Sequence, residues 1–218
     1  FKELLDSTIN QYAAIVLMVL AVAATSIIVY NRFKEAWKGL TVGRSSKIAI
    51  LTLAVLVMGP IFIFSIPNRM YFGYVYPNPW HNPTYLLLRL FALMVFFLTS
   101  RVLYKKASIG DVLAAAVLIL LATKAKPNFT LIFLPALAIY GLMHWQRLKE
   151  LNWWYVIVGL GLPALGVLAA QYYITYSGGD VDQILFRPLR IFVYFVTNIP
   201  TAALYFLLSI LFPLMVTI

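Results

Sequence analysis

Uncharged, mostly apolar runs recur along this chain at about the 20 residues that a helix needs to cross a bilayer. Residues 12–30 and 48–66 each meet that length without a charge. Residues 84–102 follow, with Arg89 near the start and Arg101 near the end, and 154–173 form another clean run. Two shorter apolar pieces, 112–123 and 129–143, flank Lys124-Ala-Lys126-Pro127-Asn128. The last run, 191–218, is broken by Asn198-Ile-Pro200, so its span need start only near Ala202. The pattern predicts an all-α, polytopic transmembrane bundle of six to seven helices, some short or broken, in a cell membrane. All of 1–218 reads as a single transmembrane domain. The chain opens on Phe1 and ends inside an apolar run, with no signal-peptide pattern, so the expectation is one part of a longer protein.

Composition excludes the water-soluble alternative. Hydrophobic residues make up 63% and charged residues 11%, against about 45–50% and about 25% in soluble domains. The absence of cysteine removes disulfides, thiolate metal sites and a cysteine nucleophile. A net charge of +10 invites a nucleic-acid reading, but the basic residues lie in short loops between apolar runs. Membrane topology explains them better, and no nucleic-acid partner is expected. One set of loops carries Arg32, Lys34, Lys38, Arg44, Lys47, Arg101, Lys105, Lys106, Arg147 and Lys149. The other carries Lys2, Arg69, Arg89, Lys124, Lys126, Arg187 and Arg190. The positive-inside rule assigns the first set to the cytoplasm. Asp111, Glu150 and His144 fall on that side as ordinary solvated or interfacial residues. Residues 31–47 fit an amphipathic turn with Phe33 and Trp37 on one face.

The less basic side holds the unusual chemistry. Prolines 77, 79 and 83 stiffen a non-helical tract and hold Asn78, Trp80, His81 and Asn82 in defined directions. An aromatic interfacial belt accounts for the ring residues there but not for the asparagines and the histidine, which suit a ligand-facing loop. His81 fits either proton transfer and phosphate contact or a cap on the following helix. Lys124 and Lys126 are the second anomaly, since a lysine at the centre of a spanning helix costs about 2.5–3.5 kcal/mol. In a proline-broken joint they suit a phosphate cradle completed by a helix N-terminus. They equally suit cations that satisfy terminal carbonyls. Asp180 and Asp182 fit a divalent metal site, a base or a solvated turn; no other cofactor is implied.

Gly73-Tyr-Val-Tyr-Pro77-Asn78-Pro-Trp80-His81-Asn82-Pro83-Thr84, then Arg89-Leu90-Phe91-Ala92-Leu93, resembles a motif of bacterial membrane proteins of the GT-C glycosyltransferase type. Lys126-Pro127-Asn128-Phe129 and Leu134-Pro135-Ala136 are similar to a second, weaker segment of those proteins. The likeness covers 48–140. It implies an integral membrane glycosyltransferase, or a degenerate relative, taking a polyprenyl-phosphate-linked sugar at the extracytoplasmic face. On that expectation Lys124, Lys126 and Arg89 hold the donor phosphate, and Asn78, Trp80, His81 and Asn82 shape the pocket. The family's acidic motif in a first outer loop has no match in 1–218, which leaves the catalytic base unknown. The alternatives are a non-catalytic subunit that packs with other membrane subunits and, less favoured for want of an inverted repeat, a transporter.

Overall fold

The computed structural model describes residues 2–37, 44–57 and 83–176, together with 200, 201, 203 and 204. Their order is α1 (Lys2–Ala36), α2 (Arg44–Val57), α3 (Pro83–Val102), α4 (Ile109–Ala125) and α5 (Pro127–Met143). A 3-10 helix (Trp145–Glu150), a π-helical stretch (Tyr155–Gly161) and α6 (Leu162–Tyr176) complete it. The described residues contain no strand, and the all-α reading holds. Among the described residues, three helices are long and apolar enough to cross a membrane: Asn10–Ala36, Thr84–Val102 and Tyr155–Thr175. Ser45–Leu56 and Pro127–Met143 are apolar but shorter. The chain forms two compact units, Phe1–Ile28 with Thr84–Val181, and Val29–Pro83 with Asp182–Ile218.

Helix α1 is 35 residues long, about 52 Å at 1.5 Å per residue, and so outruns a hydrocarbon core of about 30 Å. Its middle exposes Tyr12, Val19 and Leu20, as a lipid-facing helix does. Thr25 and Ser26 donate to the carbonyls of Ala21 and Val22, each at 2.7 Å. Hydroxyls that bond back within their own helix need no water. In the second unit the end of α1 pairs Arg32 with Glu35 at 2.9 Å and stacks Phe33 on Trp37 at 6.1 Å. These two rings do share a face, on a continuation of α1 rather than on a separate turn. Helix α2 begins before the apolar run at 48, and Pro200 and Thr201 are helical, as expected of a proline that opens a span.

The first unit is built on α3 to α6. Helices α4 and α5 have 17 residues each, about 26 Å, and extend beyond the apolar runs that announced them. Capping explains the extra length. Ser108 Oγ accepts the Asp111 N–H at 3.1 Å while the Asp111 carboxylate accepts the Ser108 N–H at 3.0 Å, a reciprocal capping box. Arg101, at the end of α3, donates to the same carboxylate at 2.7 Å. Pro127 opens α5 at its first position, where a missing N–H costs nothing. Asn152 caps the next helix by accepting the Tyr155 N–H at 3.1 Å. Pro163 has no N–H to offer the turn before it, and there the helix widens: the N–H of Leu162 reaches back to the Ile157 carbonyl, a π pattern.

Packing in this unit uses small residues. Val112, Ala115, Ile119 and Ala122 form one buried stripe on α4 at helical spacing. Gly159 lies against it, so close that a Cβ there would sit 3.4 Å from both the Ala115 methyl and the Val112 carbonyl oxygen. Ala115 and Gly159 thus make the seam, whereas nothing lies within 4 Å of a Cβ at Gly166. A buried hydrogen bond of 3.1 Å joins the hydroxyls of Thr99 and Tyr155. Contacts at both ends fix direction: Arg101 meets Asp111 at one end, and Lys126 meets Tyr85 at the other. Helix α3 is therefore antiparallel to α4. The ring of Tyr104 lies 6.4 Å from that of Tyr140, which turns α5 back to the end where α4 began.

Two outcomes test this architecture. Gly159→Leu overpacks the α4 contact and lowers the unfolding free energy in detergent by roughly 1–3 kcal/mol, whereas Gly166→Leu leaves the unfolding midpoint unchanged. Equal effects of the two substitutions contradict the packing described. The second concerns acid. The Ser108 hydroxyl and N–H hold the Asp111 carboxyl below its ordinary range, with Arg101 assisting. A depressed folded-state value means a contribution complete above the ordinary aspartate range and lost as pH falls through the depressed one. Acid titration of stability therefore has a component at low pH that Asp111→Asn removes.

Candidate functional site

Lys124 occupies the last turn of α4 and is exposed; Lys126 is the single extended residue, φ −164° and ψ 119°, between α4 and α5. A one-residue joint between antiparallel helices brings the last turn of one beside the first turn of the other. Across it the hydroxyls of Thr123 and Thr130 share a hydrogen bond of 2.7 Å, and Thr123 also donates to the Ile119 carbonyl at 2.6 Å. Both threonines are fully buried. This latch holds the joint closed, so the backbone of Lys126 has a fixed place.

The Lys126 ammonium sits 3.6 Å from the centre of the Tyr85 ring, a cation–π contact with the first turn of α3. Arg89 is four residues beyond Tyr85 and hence on the same face of α3. Lys124, Lys126 and Arg89 thus stand at one end of the unit. No side chain caps the start of α5, whose first amides point along the helix axis toward that end. Gln171 of α6 approaches from a third side, its Nε2 donating to the Thr123 carbonyl at 3.4 Å. Its Oε1 is buried without a hydrogen-bond partner, the one such side-chain atom among the described residues.

The opposite end is the more basic one, and its two arginines are paired. Arg147 pairs with Glu150 at 2.9 Å, Arg101 with Asp111 at 2.7 Å, and the Arg147 guanidinium lies 4.2 Å over the Tyr104 ring. Glu150 raises the Arg147 pKa further above its ordinary range. His144 is exposed at the end of α5, its Nδ1 3.0 Å from the Tyr140 carbonyl, as an interfacial residue would be. Among the described residues of this unit, Asp111 and Glu150 are the acids outside α1, and both lie at this end, away from the lysines.

Asn78, Trp80, His81 and Asn82 lie outside the described residues, as do Arg69, Asp180, Asp182, Arg187 and Arg190. The proline-rich tract leads directly into α3 at Pro83, two residues before Tyr85. Among the described residues no group of three His, Asp or Glu side chains could hold a metal ion. Tyr85, Thr123, Thr130 and Gln171 are the members that sequence reasoning passed over. Gln171 carried a signal: it is the lone amide in the run 154–173.

The latch is open to a double-mutant cycle. Thr123→Val and Thr130→Val each lower stability by about 0.6–1.7 kcal/mol, the span measured for hydroxyl bonds between membrane helices. The double variant loses less than their sum; strict additivity in detergent unfolding rules the bond out. Comparison with family models, curated proteins and solved structures gives no match for this chain.

Proposed function

We propose that the chain is a GT-C-like membrane glycosyltransferase, or a degenerate relative of one, that takes a polyprenyl-phosphate-linked sugar at the extracytoplasmic face. One observation carries the reading: Lys124 lies in the last turn of α4 and Lys126 at the uncapped start of α5 against Tyr85, with Arg89 one helical turn beyond that ring on α3. Two lysines at a helix N-terminus favour an anion, and at the edge of an apolar bundle the natural guest is one that carries its own hydrocarbon. A lipid phosphate answers that description. In transfer, the lysines stabilise the charge that grows on the departing phosphate as the bond to the sugar breaks, where fixed cations in a poorly hydrated site act most strongly. Tyr85 orients the Lys126 ammonium, and the Asn78–Asn82 tract, one residue before α3, shapes the sugar or acceptor pocket. Gln171 offers an unpartnered carbonyl that suits a hydroxyl donor.

The base that would deprotonate an acceptor hydroxyl is not assigned. The second reading is a non-catalytic subunit that packs with other membrane subunits in a larger complex, in which the same end could hold a lipid phosphate without turnover. The two readings share the anion site and differ in turnover.

Lys124→Ala combined with Lys126→Ala abolishes binding of polyprenyl phosphate to the purified protein, while the detergent unfolding midpoint is kept. Unchanged binding removes the phosphate role from both readings. Binding retained by wild type without sugar transfer, in the full-length protein, selects the subunit.

A further inference from the structure

A groove of about 550 Å³ runs between α5 and the π–α6 helix at the more basic end of the first unit, far from the lysine joint. Its volume lies in the range of small-ligand sites, roughly 300–1,000 Å³. The walls are hydrocarbon: Leu134, Leu137 and Leu142 on one side, Ile157 and Leu165 on the other, with Leu148 of the 3-10 helix at the basic end. Tyr140 and Trp153 are the lining residues with polar side-chain atoms, and the Trp153 indole N–H is already spent on the Leu148 carbonyl at 3.1 Å. A polar ligand would find few partners inside.

We propose that this groove binds one acyl chain of an anionic phospholipid, whose headgroup rests on the basic rim around the 3-10 helix. Depth selects the occupant. From Leu142 to Leu134 is eight residues of helix, about 12 Å, and from Trp153 to Leu165 on the facing wall twelve, about 18 Å, against a core of about 30 Å. That is about one leaflet and falls short of the length over which a transmembrane helix of a partner or of a second copy would pack. Charge selects the headgroup. Lys149 follows Leu148, and Lys105 and Lys106 follow Leu103, so two segments lining the groove lead directly into exposed lysines. Arg147 and Arg101 are paired with Glu150 and Asp111, which leaves the three lysines as surplus charge for a phosphate. Trp145 and Trp154, exposed by 68% and 62%, mark the same level as the membrane–water interface.

The test is lipid retention by the intact chain in detergent, read by native mass spectrometry with phosphatidylglycerol and phosphatidylcholine of identical acyl chains. Wild type retains one phosphatidylglycerol, at least fivefold over phosphatidylcholine. Ala138→Phe, at an exposed position in the groove wall, cuts retention at least tenfold; Ala138→Leu gives an intermediate loss and serves if the phenylalanine misfolds. Lys105→Glu, Lys106→Glu and Lys149→Glu together erase the headgroup preference while a lipid is still held. Equal retention of the two lipids by wild type overturns the proposal, as does Ala138→Phe retaining phosphatidylglycerol unchanged. So does a stable dimer of wild type that excludes lipid and that Ala138→Phe dissociates, because a second copy then fills the groove.

Discussion

Asn152 fastens the first unit. Its backbone N–H donates to the Leu103 carbonyl and its side-chain amide to the Lys105 carbonyl, both at 3.0 Å, while its Oδ1 caps the helix that starts beside it. One residue thus joins the α3–α4 turn to the entry of the π–α6 helix. Between helices in lipid there is little hydrophobic drive, because the tails are as apolar as the side chains. Directional bonds and close backbone approach must supply what burial supplies in water. At this corner they accumulate: the Asn152 bonds, the Ser108–Asp111 box, the Arg101 pair and the Thr99–Tyr155 hydroxyls lie within a few turns of one another.

A fastened corner sets the register of everything beyond it. With Tyr155 held, Gly159 meets Val112 and Ala115, and the two helices run side by side until Gln171 reaches Thr123. The lysine joint is built at the far end of that shared run. Its own latch, Thr123 to Thr130, needs both hydroxyls to face the seam, and the stripe of Val112, Ala115, Ile119 and Ala122 shows which face that is. The widened turn ahead of Pro163 belongs to the same scheme, since it lets the helix continue past a proline without turning Gly159 away from α4.

Among the described residues, the spans expected at 12–30, 84–102 and 154–173 were readable from hydropathy because a membrane helix must satisfy its own backbone and cover itself with carbon. Within the first unit the basic residues do divide between two ends, and Glu150 and His144 are exposed there as expected; Asp111, read as an ordinary solvated residue, instead caps α4 and pairs with Arg101. Helix lengths were underestimated where polar residues do the capping: Ser108-Ile-Gly-Asp111 is a capping-box pattern, and it starts α4 before its apolar run begins. Packing faces were not readable from hydropathy at all. Helices α4 and α5 are apolar on every side, so small residues mark the seam, and which small residues do so depends on register. Ala115 is buried where Ala114 is exposed, and Gly159 is packed where Gly166 is open. Gln171 fell outside sequence reasoning on the same ground: an amide in an apolar run announces a partner but does not name it.

The two ends of the first unit differ in how their cations are answered. At the corner end Arg101 and Arg147 each have a carboxylate within 3 Å, which makes them structural. At the joint end Lys126 meets an aromatic face. A cation–π contact is worth about 0.5–2 kcal/mol, whereas a hydrogen bond to a charged group contributes about 1.5–3 kcal/mol. On the proposed function, an arriving phosphate would therefore outcompete the ring for the ammonium, which Tyr85 keeps directed until then and gives up at small cost. An aspartate in the same place would hold Lys126 more tightly and would repel the phosphate as well, so the aromatic partner is the one that suits a binding end.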